Sequence, residues 1–142
     1  MFKTYAMDEI SIISRIEYGE KVLCHPCRVI VDTGSASSFG PRKSLKKVLA
    51  SDGLQDIGHG VLYALPENVH RVQPIKITMR SRTFILNGEE LVRFWSEKYI
   101  FALIIDLDPE TKDWIFGISL LRFFHTIFDQ QNSQVGFAER QC

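Results

Sequence analysis

The 142-residue sequence lacks most of the marks that single out a specialised class. Neither charge is in excess, since 17 basic residues stand against 17 acidic ones. Proteins that grip nucleic acid usually carry a basic surplus or stripe, so the balance argues against that partner. The one basic cluster, Arg42, Lys43, Lys46 and Lys47, reads as the wet face of a helix. No apolar run approaches the roughly eighteen residues that a membrane helix needs, so no membrane partner is expected. "MFKTYAMDEI" has no apolar stretch after its lysine and therefore no signal-peptide pattern. That start fits an intracellular protein or a piece cut from a longer precursor, and leaves the compartment unassigned. Internal repeats and low-complexity linkers are missing as well, and the length suits one domain over residues 1–142 with a core of its own. His25, His59, His70 and His125 form no motif with a serine or cysteine nucleophile, and "GSAS" is not a G-x-S-x-G elbow. Cysteine is scarce: Cys24 and Cys27 make a C-x-x-C, and Cys142 stands alone. Nothing calls for a cofactor or a resident metal.

What is present is mostly β pattern. "DEISIISRIEYGEKVL" alternates Ile10 and Ile12 with polar residues and turns at Tyr18-Gly19-Glu20, which predicts two strands. "RVIVD" is a short β-branched run that reads as a buried strand ending at Thr33-Gly34. After Pro41 the period changes: Leu45, Val48 and Leu49 share one helical face, with Pro41 suited to the first turn and Gly53 to the C-terminal cap. Strand pattern returns in "PIKITM" and "RTFIL", around a turn near Ser81, and "YIFALIIDL" reads as a buried strand ending in the turn "DPETKD". One helical turn is expected after Gly117. Two strands then flank the polar turn at residues 130–133. The expected class is all-β with one or two short helices.

Within that pattern, "RVIVDTGSASSFGP" holds the most chemical interest. A strand delivers Asp32 into a run of small residues, where Gly34 permits a close backbone approach and Thr33 and Ser35 offer hydroxyls beside the carboxylate. Taken alone, the four residues fit either a turn cap or a carboxylate that does chemistry. Cys24-His25-Pro26-Cys27 is equally open. A redox C-x-x-C opens a helix after a strand, whereas this one precedes a strand. A zinc site would be two ligands short, with His25 or His59 to complete it. Trp95, Trp114 and Phe123-Phe124 read as core or interface packing rather than a binding platform, and Tyr63 and Tyr99 as structural.

Several segments together resemble the pepsin-like aspartic proteases, and specifically their C-terminal lobe. They are an apolar run into D-T-G-S with Gly40-Pro41 a few residues on, Tyr5 near the start, and a small cysteine pair closing just before the catalytic strand. "PIKITMRSRTFIL" looks like the family's hairpin before its late cleft loop. "WIFGISLLRFFHTIFDQQNSQVGFAE" looks like its closing segment, and the resemblance covers nearly the whole chain. It implies a single lobe of the acid-protease fold. "DTG" and Ile115-Phe116-Gly117 would meet in a ψ-shaped loop, with the apolar pair buried beneath the carboxylate and Gly117 leaving room for it. Asp32 would be the catalytic carboxylate, Thr33 would reach to a partner lobe, and Ser35 would hydrogen-bond the outer oxygen of Asp32. Cys24 and Cys27 would form a small disulfide, and peptides or proteins would be the substrates.

That chemistry needs two carboxylates. Held about 3 Å apart they cannot both ionise, so they share a proton. This chain has one D-T-G; Asp106 and Asp108 lie in a turn and Asp129 in the closing hairpin. It also departs from the family at Ile118, where an aspartate usually follows the glycine, in "SASSF", and in lacking a second cysteine pair for Cys142. A second lobe therefore has to come from another chain or a second copy, as in retroviral proteases. Otherwise the lobe is an inactive homologue acting as a binding or assembly module.

Overall fold

The computed structural model describes the backbone of residues 2–3, 10–51, 53–79, 82–129 and 134–139, and the side chains of 13–51, 53–79 and 82–124. In chain order the strands begin with β1 (Phe2–Lys3), β2 (Ile10–Ile13), β3 (Arg15–Tyr18), β4 (Lys21–Cys24), β5 (Cys27–Val31) and β6 (Ser38–Gly40). Helix α1 (Arg42–Leu49) follows, then β7 (Gln55–Gly58), β8 (Val61–Ala64), β9 (Ile75–Met79), β10 (Arg82–Leu86), β11 (Val92–Trp95), β12 (Lys98–Ile105) and β13 (Asp113–Phe116). Helix α2 (Ile118–Leu121), β14 (Phe124–Asp129) and β15 (Gln134–Glu139) close the chain, and 3-10 turns occupy Pro66–Arg71 and Gly88–Leu91. The class is all-β with short helices.

The strands form three sheets. One runs β1-β15-β14 and a second β10-β9-β3-β4. The largest runs β2-β5-β13-β6-β12-β8-β7, with β11 joined to β12 beside β6. Ser14 breaks the segment expected to be one strand before Gly19, so that stretch contributes three strands rather than two. β2 goes to the large sheet and β3 and β4 to the second. Between the sheets lies one core that includes Ile13, Tyr18, Val29, Leu62, Ile77, Phe101, Trp114 and Phe116. Tyr18 meets Phe101 edge-on at 6.1 Å, and its hydroxyl oxygen accepts a hydrogen bond from the Gln73 backbone N–H at 3.0 Å. Burial is the main reason its pKa is raised above 10.0.

β5 alternates as its sequence dictates: Val29 and Val31 enter the core, Arg28 faces solvent and Ile30 is half-buried. The expectation of a wholly buried strand is corrected accordingly. In α1, Leu45 and Val48 are buried, Leu49 is half-buried, and Lys43, Lys46 and Lys47 are exposed, as the helical period requires. Ala50, not Gly53, takes the C-cap position; Gly53 lies in the following turn at φ +111.

Candidate active site

Strands β5 and β13 run parallel, with Val31 opposite Phe116, so both chains leave the sheet side by side. From Asp32 the chain passes over the end of β13 and returns on its other side as β6, antiparallel to it at Phe39–Ile115. The ψ-shaped crossing is held by backbone bonds. The N–H of Asp32 donates to Phe116 O (3.0 Å), that of Ile118 to Ser35 O (2.8 Å), and that of Ser119 to Ala36 O (3.1 Å). D-T-G-S (32–35) and I-F-G (115–117), far apart in the sequence, become one unit.

At the crossing a side chain on residue 117 is impossible. A Cβ there would overlap the carbonyl oxygen of Ser37 and come within 2.6 Å of Ser35 O. Its backbone, at φ −97, is ordinary, so the requirement is for space. The atoms nearest to such a Cβ belong to these two backbone carbonyl groups, and the glycine makes room for them. Beneath it Phe116 is buried while Ile115 is only half-buried, so one residue of the apolar pair forms the floor. Gly40 is tied in as well: a Cβ on it would lie 2.8 Å from Cζ3 of Trp114, so "GP" and "WIFG" form one packed contact.

Asp32 itself is exposed on this platform. Its Oδ1 accepts a hydrogen bond from Gly34 N at 3.0 Å, and Ser35 N closes the turn onto Asp32 O at 3.2 Å. Thr33 is exposed and has no side-chain hydrogen bond among the described residues. Ser35 differs from expectation: its hydroxyl donates to Ser37 O at 2.8 Å, so its one proton is not directed at Asp32. Asp106 and Asp108 cap their own turn, with Oδ1 atoms accepting from Asp108 N and Glu110 N, both at 2.9 Å. The side chain of Asp129 lies outside the described residues, as do Tyr5 and Cys142.

Ser38 is a participant that the sequence reading missed. It is 0% exposed, its Oγ accepts from Gly117 N at 2.9 Å, and it lies 2.7 Å from the Oγ of Ser119, which donates to Ala102 O at 2.9 Å. A polar residue at the inward position of a short strand is the signal that could have marked it.

Cys24 and Cys27 are joined by a disulfide, with Cα atoms 5.4 Å apart, where the chain passes from the second sheet to the large one. No helix follows, and His25 Nδ1 lies within hydrogen-bonding distance of Ser14 O. Among the described residues no group of three His, Cys, Asp or Glu could hold a metal ion. No helix of the described residues is long and apolar enough to cross a membrane. Trp114 is core, whereas Trp95 is 65% exposed, contrary to a packing role within the lobe. Tyr63 donates to Gln55 Oε1, and Tyr99 packs edge-on against Phe94.

Comparison with known proteins adds a frame to this geometry. A family model described as eukaryotic aspartyl protease matches residues 5–140. Among similar curated proteins is renin of Canis lupus familiaris, 28% identical over 79% of this chain and 29% of its own length. Pepsin-3 of Oryctolagus cuniculus is 27% identical over 92% of this chain and 34% of its own length. Pepsin A-5 of Mus musculus is 26% identical over 94% and 34%. The chain thus spans about a third of the length of the curated relatives it matches.

Proposed function

Because the chain belongs to the eukaryotic aspartyl protease family, we propose that residues 1–142 form a C-terminal-type lobe of an aspartic endopeptidase with Asp32 as its catalytic carboxylate. The observation that carries this reading is an exposed carboxylate at the apex of a ψ-shaped crossing, fixed by Gly34 N–H and supported by a glycine that tolerates no side chain. A cap has no need of that platform. Asp106 and Asp108 accept the same kind of backbone hydrogen bond from two residues on, but in a turn without such a crossing beneath them.

The reaction proceeds with a second carboxylate from a partner lobe, either a separate N-terminal-type lobe or a second copy of this chain. The ionised member of the pair takes a proton from water as the water oxygen attacks the scissile carbonyl, and the protonated member donates to the developing oxyanion. Collapse of the tetrahedral intermediate breaks the C–N bond, and a proton passes to the leaving amine. Thr33, exposed and without a side-chain hydrogen bond among the described residues, is the residue to engage the mate. A platform of backbone hydrogen bonds keeps Asp32 in place before the mate arrives.

A second reading is an inactive lobe serving as a binding or assembly module. It draws support from the Ser35 hydroxyl, turned to Ser37, and from Ile118, an apolar residue 47% exposed beside the crossing. One set of measurements separates the two. Cleavage of a quenched-fluorescence peptide library is followed at acid and neutral pH for the wild type and Asp32→Asn, each alone and mixed with an N-terminal-type lobe. Light scattering gives the mass in each mixture. The endopeptidase reading expects cleavage by a two-lobe species and at least a thousandfold loss in Asp32→Asn. Equal inertness of both variants in every pairing defeats it and leaves the module.

A further inference from the structure

The backbone N–H of Asp32 donates to Phe116 O at 3.0 Å. That carbonyl shares one rigid peptide plane with the N–H of Gly117, which donates to Ser38 Oγ at 2.9 Å. The plane is thus gripped by Asp32 on one side and by a buried hydroxyl on the other. We infer that Ser38 and Ser119 are positioning residues for Asp32. With this peptide plane they form one chain of hydrogen bonds from the backbone of Asp32 to Ala102 on β12.

The direction of the chain follows from the protons at hand, since each serine hydroxyl has only one to give. Ser119 Oγ lies 2.9 Å from Ala102 O and 2.7 Å from Ser38 Oγ. Ala102 O can only accept, so the Ser119 proton goes there and the Ser38 proton goes to Ser119 Oγ. In the reverse order Ser38 would donate to Gly117 O at 3.4 Å, a long contact, and Ala102 O would lose its donor. The links are Asp32 N–H to Phe116 O, Gly117 N–H to Ser38 Oγ, Ser38 O–H to Ser119 Oγ, and Ser119 O–H to Ala102 O. All run head to tail, so each bond polarises and strengthens the next.

Ser38 is 0% exposed, and a hydroxyl so deeply buried is costly unless it is bonded at both ends. The chain meets that demand and gives the "SASSF" departure a physical reason. Ser44, the comparison, is also buried, but its hydroxyl donates to Leu23 O at 2.8 Å and has no link to the crossing.

The catalytic consequence rests on the proposed endopeptidase reading; the positioning itself does not, and both are measured. Amide hydrogen exchange in the 142-residue chain is followed by NMR for the wild type, Ser38→Ala, Ser119→Ala and Ser44→Ala. In Ser38→Ala the amides of Gly117 and Asp32 should exchange roughly tenfold faster relative to the other amides of β5 and β13. Ser119→Ala, at a half-buried position, leaves Ser38 Oγ in place and removes only its support, so the same two amides should gain roughly threefold. Ser44→Ala removes a buried hydroxyl off the chain and should leave that ratio unchanged. In the two-lobe enzyme, Ser38→Ala should lower kcat about tenfold with KM within about twofold, because the residue is buried and acts through the peptide plane. Gly117 and Asp32 responding no more in Ser38→Ala than in Ser44→Ala, or not at all in Ser119→Ala, overturns the chain. Undiminished kcat in Ser38→Ala overturns the positioning role. Should Ser38→Ala fail to fold, Ser119→Ala decides the outcome. If no pairing cleaves peptide, the endopeptidase reading fails, and the exchange rates still decide whether Asp32 is held in this way.

Discussion

Gly117→Ala is the sharpest perturbation of the crossing. The new methyl group has to displace the carbonyls of Ser37 and Ser35, and with them the strand-like contacts that the crossing is made of. Three hydrogen bonds are at stake: Ile118 N to Ser35 O, Ser119 N to Ala36 O, and Gly117 N to Ser38 Oγ. At roughly 1 kcal/mol each they contribute about 3 kcal/mol, and overpacking strain adds roughly 1 kcal/mol or more. A loss of about 4 kcal/mol is a large share of the ~5–15 kcal/mol that holds a domain folded. For a domain of this size it corresponds to a fall in Tm on the order of 10 °C, and in urea to a midpoint shift of about 2 M. The assay is equilibrium urea unfolding followed by the fluorescence of buried Trp114 and by circular dichroism. Gly58→Ala is the comparison. A Cβ at Gly58 meets nothing within 4 Å, but its φ of +117 disfavours any side chain, for a cost of roughly 1–2 kcal/mol. If Gly117→Ala proves no more destabilising than Gly58→Ala at an unchanged m-value, tight packing at the crossing does not hold the two loops together.

Three further outcomes follow from the same geometry. Asp32→Asn should leave Tm within about 2 °C of wild type, because the residue is exposed and an amide oxygen can still accept from Gly34 N–H; calorimetry checks that the substitution leaves the fold intact. Tyr18 has a raised pKa in the folded chain, so above pH 10.0 the unfolded state releases its proton first and stability falls with rising pH. In Tyr18→Phe that alkaline slope should flatten, at a neutral-pH cost of about 1–3 kcal/mol for the Gln73 N–H left without its acceptor, both read from urea midpoints across pH. Replacing Cys24 and Cys27 by serine opens only a very short loop, so chain entropy predicts a loss of about 2 kcal/mol, matched by the wild type under reducing conditions.

The parts of the fold legible in the sequence are those with a strong period or a steric demand. β9 and β10 announce themselves through β-branched alternation, β12 through an apolar run, and α1 through Leu45 and Val48 set against lysines, while α2 is the helical turn expected after Gly117. β7 went unread because Gln55, Asp56 and Ile57 are all exposed, so burial leaves no hydrophobic pattern on it, and the turn at Gly58-His59-Gly60 carries three positive φ angles instead of a familiar dipeptide. β6 is too short to hold a period and gains its partner from distant β12, while β11 joins β12 through a tight turn at Ser96-Glu97, both at positive φ, which carries no glycine or asparagine to mark it. At the candidate site, the segments around Asp32 and Gly117 meet at one crossing, as the resemblance implies. Hydroxyl orientation is a different matter, because it depends on which carbonyl is nearest. Ser35 turns to Ser37 and Ser38 receives Gly117 N–H through tertiary contacts that no local pattern encodes.

The pairing of β5 with β13 also bears on the order of events as the chain folds. Asp32 is an early residue, but its supporting hydrogen bonds come from Phe116, Ile118 and Ser119, near the far end of the described chain. Parallel pairings between such distant segments close large loops and form slowly compared with local hairpins. During synthesis, the D-T-G segment therefore waits without its platform until residue 119 has emerged from the ribosome. The local hairpin of β9 and β10 can form well before that. The carboxylate becomes presentable only when nearly the whole lobe is assembled, so a partially made chain displays no half-formed version of the site.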